Sequence, residues 1–162
     1  MKNLFKYISL FIITLVMSSA TASADYQKGY DAYLAKDYAT ALREWRPLAD
    51  QGDADAQFNL GTMYDNGDGV PENDKTAVKW LTLAAKQGVA RAQSNLGVMY
   101  SNGEGVLTDT KRAYMWYNLA SYNGNEIAGK NKDKRAKQMT PADISKAQDM
   151  SSRCLKSNYT DC

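Results

Sequence analysis

The sequence contains an internal repeat with a period of 36 residues. Residues 56–70 recur as residues 92–106, and only four of the fifteen positions differ. A fixed period of roughly 20 to 50 residues is typical of solenoid folds, in which a unit cannot bury its apolar face alone and stacks on its neighbours. The repeat therefore predicts a solenoid, an architecture that more often binds other molecules than transforms them.

The N-terminus has the pattern of a secretory signal peptide. Lys2 and Lys6 precede an apolar stretch, residues 7–17, and the small residues Ala22 and Ala24 occupy the positions expected before a cleavage site. The alternative, an uncleaved membrane anchor, needs about 20 apolar residues, and this stretch is shorter. We therefore predict cleavage after Ala24, no membrane span in the mature chain, and a periplasmic or secreted protein.

Composition excludes several classes of site. The chain has no histidine, so it has no Ser-His-Asp or Cys-His pair, and its two cysteines cannot complete a four-ligand zinc site. Because Lys2 and Lys6 leave with the signal peptide, 18 basic residues meet 18 acidic ones in the mature chain. A net charge of zero gives nucleic-acid binding no support, since that binding depends on surplus Lys and Arg. We expect no metal, no cofactor and no catalytic residue.

The two cysteines, Cys154 and Cys162, lie close together near the C-terminus. In an oxidising compartment such a pair predicts a disulfide. The short loop that it closes gives roughly 2 to 3 kcal/mol at best in the chain-entropy model, enough to fix the tail. A redox-active pair is the alternative, but the spacing differs from Cys-x-x-Cys.

Helical periodicity predicts consecutive helix pairs, each with a helix A and a helix B. In the second pair, helix A covers residues 53–66 and helix B residues 74–87; in the third, helix B covers residues 109–122. Gly61 and its counterpart Gly97 lie in the middle of an A helix, where glycine costs about 1 kcal/mol relative to alanine. We expect close approach by a large side chain to explain them, with Tyr64 or Trp80 lying over Gly61.

The last helix has a complete start signal. Thr140 is the predicted N-cap, Pro141 lies in the first turn and Asp143 reaches back to the cap. Its predicted inward face consists of Ile144, Ala147, Met150, Ser151 and Cys154. A largely polar last pair suits the end of a solenoid, because its outer surface meets water.

These motifs resemble a known repeat family. The pattern Ala-Gln-x-Asn-Leu-Gly-x-Met-Tyr-x-Asn-Gly-x-Gly-Val, followed by Ala-x-x-Trp-Leu-x-x-Ala-Ala-x-x-Gly, is similar to the Sel1-like repeat, a relative of the tetratricopeptide repeat. The resemblance implies an all-α, right-handed solenoid of about four helix hairpins. Its predicted parts are a signal peptide (1–24), a tetratricopeptide-like hairpin (25–52), two Sel1-like repeats (53–88 and 89–124), and a capping hairpin with a tail (125–162).

Three of the four differences within the repeat lie on one face of helix A. The differing pairs are Phe58 and Ser94, Thr62 and Val98, and Asp65 and Ser101. Their spacing of i, i+4 and i+7 places them on one side of a helix, and the packed positions around them do not change. In the resembled family the A helices line the concave surface, which implies that this face forms a groove.

The same register in the first and last hairpins predicts a groove that is aromatic at one end and cationic at the other. The additional groove residues are Tyr26, Tyr30, Tyr33, Lys130, Lys134 and Lys137, with Arg91 at the start of the third A helix. Tyrosines offer a wide contact area, and lysines attract carboxylates. We predict a partner segment with an apolar or aromatic stretch followed by acids. The alternative is that the tyrosines pack as an N-terminal cap and the lysines form an ordinary solvated face.

Two functions of different classes remain open at this stage. The favoured one is a non-catalytic adaptor in the cell envelope that binds a protein or peptide partner in its groove, with a regulatory or assembly role. The alternative is an envelope hydrolase, because some cysteine-rich relatives of the resembled family are described as penicillin-binding or β-lactam-cleaving proteins. Those relatives carry a cysteine pair in each repeat, and this chain does not; it also has no Ser-x-x-Lys motif.

Overall fold

A computed structural model describes residues 26–162, and the predicted signal peptide lies outside the described residues. The described residues form eight helices and no strand, so the predicted all-α solenoid is confirmed. The helices are α1 (26–34), α2 (Tyr38–Asp50), α3 (Ala54–Asn66), α4 (Asp74–Ala85), α5 (Ala90–Asn102), α6 (Thr110–Tyr122), α7 (Glu126–Ala136) and α8 (Pro141–Lys156). Within this range no helix combines the length and the apolar character that crossing a membrane requires.

The ends of the helices follow the local sequence signals. The carboxylate of Asp53 accepts a hydrogen bond from the backbone N–H of Ala56 at 2.8 Å and starts α3. Gly67, with φ of 72°, ends α3 in the left-handed conformation that glycine adopts without strain. At the last helix, Thr140 Oγ1 accepts from the N–H of Asp143 at 3.1 Å, which confirms the predicted N-cap.

Glycines in the middle of the A helices allow helix B of the same pair to pack closely. A Cβ atom at Gly61 would lie 2.7 Å from Cγ of Leu81, and one at Gly97 would lie 2.5 Å from Cδ1 of Tyr117. The expectation that Tyr64 or Trp80 lies over Gly61 is therefore wrong: Tyr64 belongs to the same helix, and the position after Trp80 makes the contact. Close approach itself is confirmed.

The core continues from one helix pair to the next. Its larger buried side chains are Trp45, Leu60, Met63, Trp80, Leu81, Leu96, Met99, Met115, Trp116 and Leu119. Small alanines between them let the helix backbones approach. In α7 only Ala128 is buried, and Lys132 occupies the position of Leu60 and Leu96, so the repeated core ends at this helix.

A buried glutamine joins the first and second helix pairs. Gln57, at the start of α3, is only 4% exposed. Its side-chain amide donates to the backbone carbonyl of Ala49 in α2 at 3.0 Å. Its Oε1 accepts from the side-chain amide of Gln87, just after α4, at 2.8 Å. We call this set of hydrogen bonds an amide bridge. One glutamine of an A helix links the end of the preceding B helix to the end of the B helix in its own pair.

The amide bridge is repeated 36 residues later. Gln93, which is fully buried in α5, donates to the carbonyl of Ala85 at 3.0 Å and accepts from Nδ2 of Asn123 at 2.9 Å. Both polar groups of each buried amide therefore have partners, which is required for burial without a large desolvation cost. The series ends at α7, where Gly129 stands at the corresponding position.

The C-terminal tail covers the second amide bridge. Cys154 and Cys162 form a disulfide with Cα atoms 4.8 Å apart, as the sequence predicts. Between them, the hydroxyl of Tyr159 donates to Oδ1 of Asn123 at 2.9 Å. The tail is therefore attached both covalently to α8 and by a hydrogen bond to the end of α6.

We predict that Gln93→Ala lowers the free energy of unfolding by about 1 to 3 kcal/mol, because it removes two hydrogen bonds of a buried side chain, one to the carbonyl of Ala85 and one from Nδ2 of Asn123. Urea denaturation followed by circular dichroism measures the change. Gln27→Ala is the matched control, since Gln27 is exposed and bonds only Asp31 within its own helix among the described residues. Equal stability of the two variants would contradict the structural role of the bridge.

Candidate functional site

The candidate residues of α1 differ in their availability to a partner. The Tyr26 ring packs 6.1 Å from the Trp45 ring, and its hydroxyl accepts from Nδ2 of Asn59 at 3.2 Å. The Tyr33 ring lies 5.6 Å from Trp45, and its hydroxyl donates to a carboxylate of the loop after α3. Tyr30 remains 43% exposed. Tyr26 and Tyr33 thus join the first hairpin to the second, while Tyr30 remains open to solvent.

The first candidate of α3, Phe58, is covered by a neighbouring helix. The guanidinium of Arg91, at the start of α5, lies 4.5 Å from the centre of the Phe58 ring. The same guanidinium lies 3.6 Å from a carboxylate oxygen of Asp55, one turn earlier on α3. Phe58 and Arg91, which were predicted to be separate groove residues, therefore form one contact between two A helices.

Further along α3, Thr62 and Asp65 are half-buried. Thr62 Oγ1 donates to the Phe58 carbonyl one turn earlier at 3.1 Å. Burial, followed by the negative charges of Asp74, Glu104 and Glu72, raises the pKa of Asp65 above the ordinary aspartate value. Ionised Asp65 thus contributes negative potential to this end of the face. Among the described residues, no group of three or more His, Cys, Asp or Glu is arranged to hold a metal ion.

The candidates of α5 range from buried to open. Ser94 is only 9% exposed, so its side chain is buried and is not available to a partner. Val98 is 36% exposed. The hydroxyl of Ser101 donates to the Gly97 carbonyl at 2.7 Å and lies 3.4 Å from the hydroxyl of Tyr117 on α6.

A cavity of about 330 Å³ opens between α5, α6 and α7 and brings together candidates from two A helices. We call it the cationic cavity; its lining residues are Val98, Ser101, Asn102, Tyr117, Asn131, Lys134, Arg135 and Gln138. Lys130 and Lys137 are exposed on α7 and beyond its end, but they do not line it. Three predicted residues, Val98, Ser101 and Lys134, thus share one depression.

Several residues of the cationic cavity were not predicted. Arg135, Asn131 and Gln138 come from the weakly repetitive last hairpin, where no repeat pattern indicates which side faces α5. Tyr117 did carry a signal. It replaces Leu81 of the preceding repeat at a core position, so a hydroxyl appears where the repeat pattern requires only an apolar group.

Replacing Asp65 by asparagine is expected to stabilise the protein at neutral pH. The raised pKa means that ionised Asp65 destabilises the folded state. This cost is fully present above the raised pKa and disappears as the pH falls below the ordinary aspartate value. Because Asp65 is partly exposed, we expect a gain below about 1 kcal/mol. Urea titrations of Asp65→Asn and of the exposed control Asp149→Asn, at neutral and acidic pH, measure it; no difference between them at neutral pH would contradict this electrostatic role.

The Tyr33 hydroxyl should make stability sensitive to alkaline pH. Burial and the hydrogen bond to Asp68 raise the pKa of Tyr33 to about 12. Its contribution to stability is present below the ordinary tyrosine pKa and is lost as the pH rises through about 12. Tyr33→Phe should reduce the loss of stability over this range, whereas the exposed control Tyr30→Phe should not. An unchanged alkaline unfolding profile in Tyr33→Phe would contradict the assignment.

Comparisons with known proteins agree with this architecture. The model of the Sel1 repeat family matches residues 54–89 and 90–125. Among solved structures, the chain is similar to a protective antigen of uropathogenic Escherichia coli strains that displays an SLR (Sel1-like repeat) fold. The identity is 29% and the TM-score 0.80, over 85% of this chain and 31% of that one. It is also similar to a Sel1 repeat protein from Oxalobacter formigenes, with 34% identity and a TM-score of 0.64, over 66% of this chain and 44% of that one.

The chain spans less than half the length of either of these two proteins. A comparison with curated proteins found no match. The repeat motifs, the helix pairs and the solved structures nevertheless agree on one assignment. The chain contains two Sel1 repeats, at residues 54–89 and 90–125.

Proposed function

We propose that this chain is a non-catalytic scaffold of the cell envelope that binds an extended segment of a protein partner along its A helices. Sel1 repeats typically mediate protein–protein interactions, which supports the general class. The proposed binding surface, which we call the A-helix face, consists of exposed or half-buried positions on α1, α3 and α5, and on α7 and its C-terminal end. These positions are Tyr30, Thr62, Asp65, Val98, Ser101, Lys130, Lys134 and Lys137.

One observation carries the proposal: the sequence varies on this face while the core of the repeat stays the same. Between the two near-identical stretches, Leu60, Gly61 and Met63 of the core recur as Leu96, Gly97 and Met99, whereas Thr62 becomes Val98 and Asp65 becomes Ser101. Packing therefore does not dictate the side chains at these positions. A surface that can change without cost to the fold is suited to recognising a particular partner.

The dimensions of the A-helix face suit an extended peptide. Neighbouring packed helices lie roughly 10 Å apart, so four A helices side by side extend over roughly 30 Å. An extended chain advances about 3.3 Å per residue, so about nine residues would cross the face. The contacts between successive A helices, such as Arg91 with Phe58, support the assumption that these helices lie side by side.

The proposed envelope location rests on two features of the chain. The first is the pattern of a signal peptide in residues 1–24. The second is the disulfide between Cys154 and Cys162, a bond that persists in oxidising compartments. No observation on the described residues favours the hydrolase alternative. A nitrocefin assay on the purified protein tests it directly, and turnover that a single Ser or Tyr substitution abolishes would overturn the scaffold proposal.

Site-specific photo-crosslinking in the cell envelope tests the binding surface. A photoreactive residue is placed at position 30, 62 or 134 on the A-helix face, and at Lys79 or Leu83 as matched controls. Both controls are exposed on α4, a B helix. We expect the three A-helix positions to capture the same protein, and the controls to capture it much less. Stronger capture from α4 would show that the A-helix face is not the binding surface.

A further inference from the structure

We propose that the cationic cavity binds a single carboxylate of the partner segment, and that the part of the segment beside Asp65 is uncharged or basic. This inference rests on the proposed function and specifies which part of the bound segment lies beside which A helix. It differs from the expectation of a run of acids, because it places one carboxylate at one defined position between α5 and α7.

The cavity has the groups that a carboxylate requires. Lys134 and Arg135 are adjacent on α7, and neither forms an ion pair with another described residue. Nη1 of Arg135 donates to Oε1 of Gln138 at 3.0 Å, which restrains both side chains at the cavity wall. A restrained guanidinium offers parallel N–H donors that match the two oxygens of a carboxylate. The amide of Asn131 adds a neutral donor to the same wall.

The opposite wall comes from α5 and α6 and has hydroxyl groups beside an apolar surface. The hydroxyl oxygens of Ser101 and Tyr117 lie 3.4 Å apart, and Tyr117 is only 5% exposed. Val98 provides apolar contact next to them. Partial exclusion of water by these groups strengthens an ion pair made with α7, because the local dielectric constant is lower than in bulk water.

The preceding repeat provides an internal comparison. The positions 36 residues before Ser101, Tyr117 and Lys134 are occupied by Asp65, Leu81 and Val98. An acid has thus been replaced by a serine, a leucine by a tyrosine that adds a hydroxyl, and a valine by a lysine. All three differences favour an anion in the cationic cavity and disfavour one at the equivalent place between α3, α4 and α5. Changes that only preserved packing would not be expected to share one electrostatic direction.

The negative charges beside α3 determine which part of the bound segment lies there. Asp65 and the neighbouring Glu104, Asp74 and Glu72 repel a second carboxylate there. The cationic cavity is lined by Ser101, one A helix away from Asp65, and by Lys134, two A helices away, so it lies roughly 10 to 20 Å from Asp65. This corresponds to about three to six extended residues. A segment with its acid in the cationic cavity therefore passes Asp65 with a neutral or basic residue about three to six positions away.

Selection from a random-peptide library tests the inference with the purified protein. Peptides selected by the wild type should share one acid, with neutral or basic residues about three to six positions from it. A selected peptide, its Glu→Gln or Asp→Asn analogue and its C-terminal amide then separate a side-chain carboxylate from the terminal one. Loss of the relevant carboxylate, or the double substitution Lys134→Glu and Arg135→Glu, should weaken binding by about tenfold or more.

Controls keep the outcomes distinct. The double substitution Arg153→Glu and Lys156→Glu makes the same charge change on two exposed residues of α8 and should alter affinity less than about twofold. If the double Glu variant fails to fold by circular dichroism, Lys134→Gln with Arg135→Gln replaces it. Peptides that crosslink to the A-helix face but bind equally well without a carboxylate would overturn this inference alone. Selected peptides that crosslink only to B helices would overturn the proposed function as well.

Discussion

The amide bridge is the interaction on which the arrangement of the repeats depends. A glutamine side chain can be buried only if both its carbonyl and its amide find partners, and Gln57 and Gln93 each find them at the ends of two different B helices. Hydrogen bonds have narrow geometric limits, whereas apolar contacts allow neighbouring helices to slide. The bridge therefore fixes the positions of α3 and α5 relative to the B helices before and after them.

Fixing the helices from their inner sides leaves the opposite side of each A helix free to vary. Gly61 and Gly97 bring the B helix of each pair close, and the buried glutamine sets the offset between pairs. Neither function involves the positions of Thr62 and Val98. The protein can therefore change the chemistry of its A-helix face from one repeat to the next, from Asp65 to the cationic cavity, while the scaffold stays constant.

The sequence predicts the helices, their caps and the disulfide well, because these depend on local spacing and on residues such as Thr140 and Gly67. It predicts side-chain contacts less well. The register of one helix does not specify which residue of the next helix faces it, so Leu81 rather than Trp80 lies over Gly61. Exposure also depends on neighbouring helices: Arg91 covers Phe58, a contact that periodicity alone does not indicate.

The central claim is that the A-helix face binds an extended segment of a partner. An NMR titration of the isotope-labelled protein with a library-selected peptide tests it most directly, because it reports on every backbone amide at once. We predict that the largest shift changes fall on α3, α5 and α7, around Thr62, Val98 and Lys134. Shift changes concentrated on the outward side of α4, around Lys79 and Leu83, would contradict the claim.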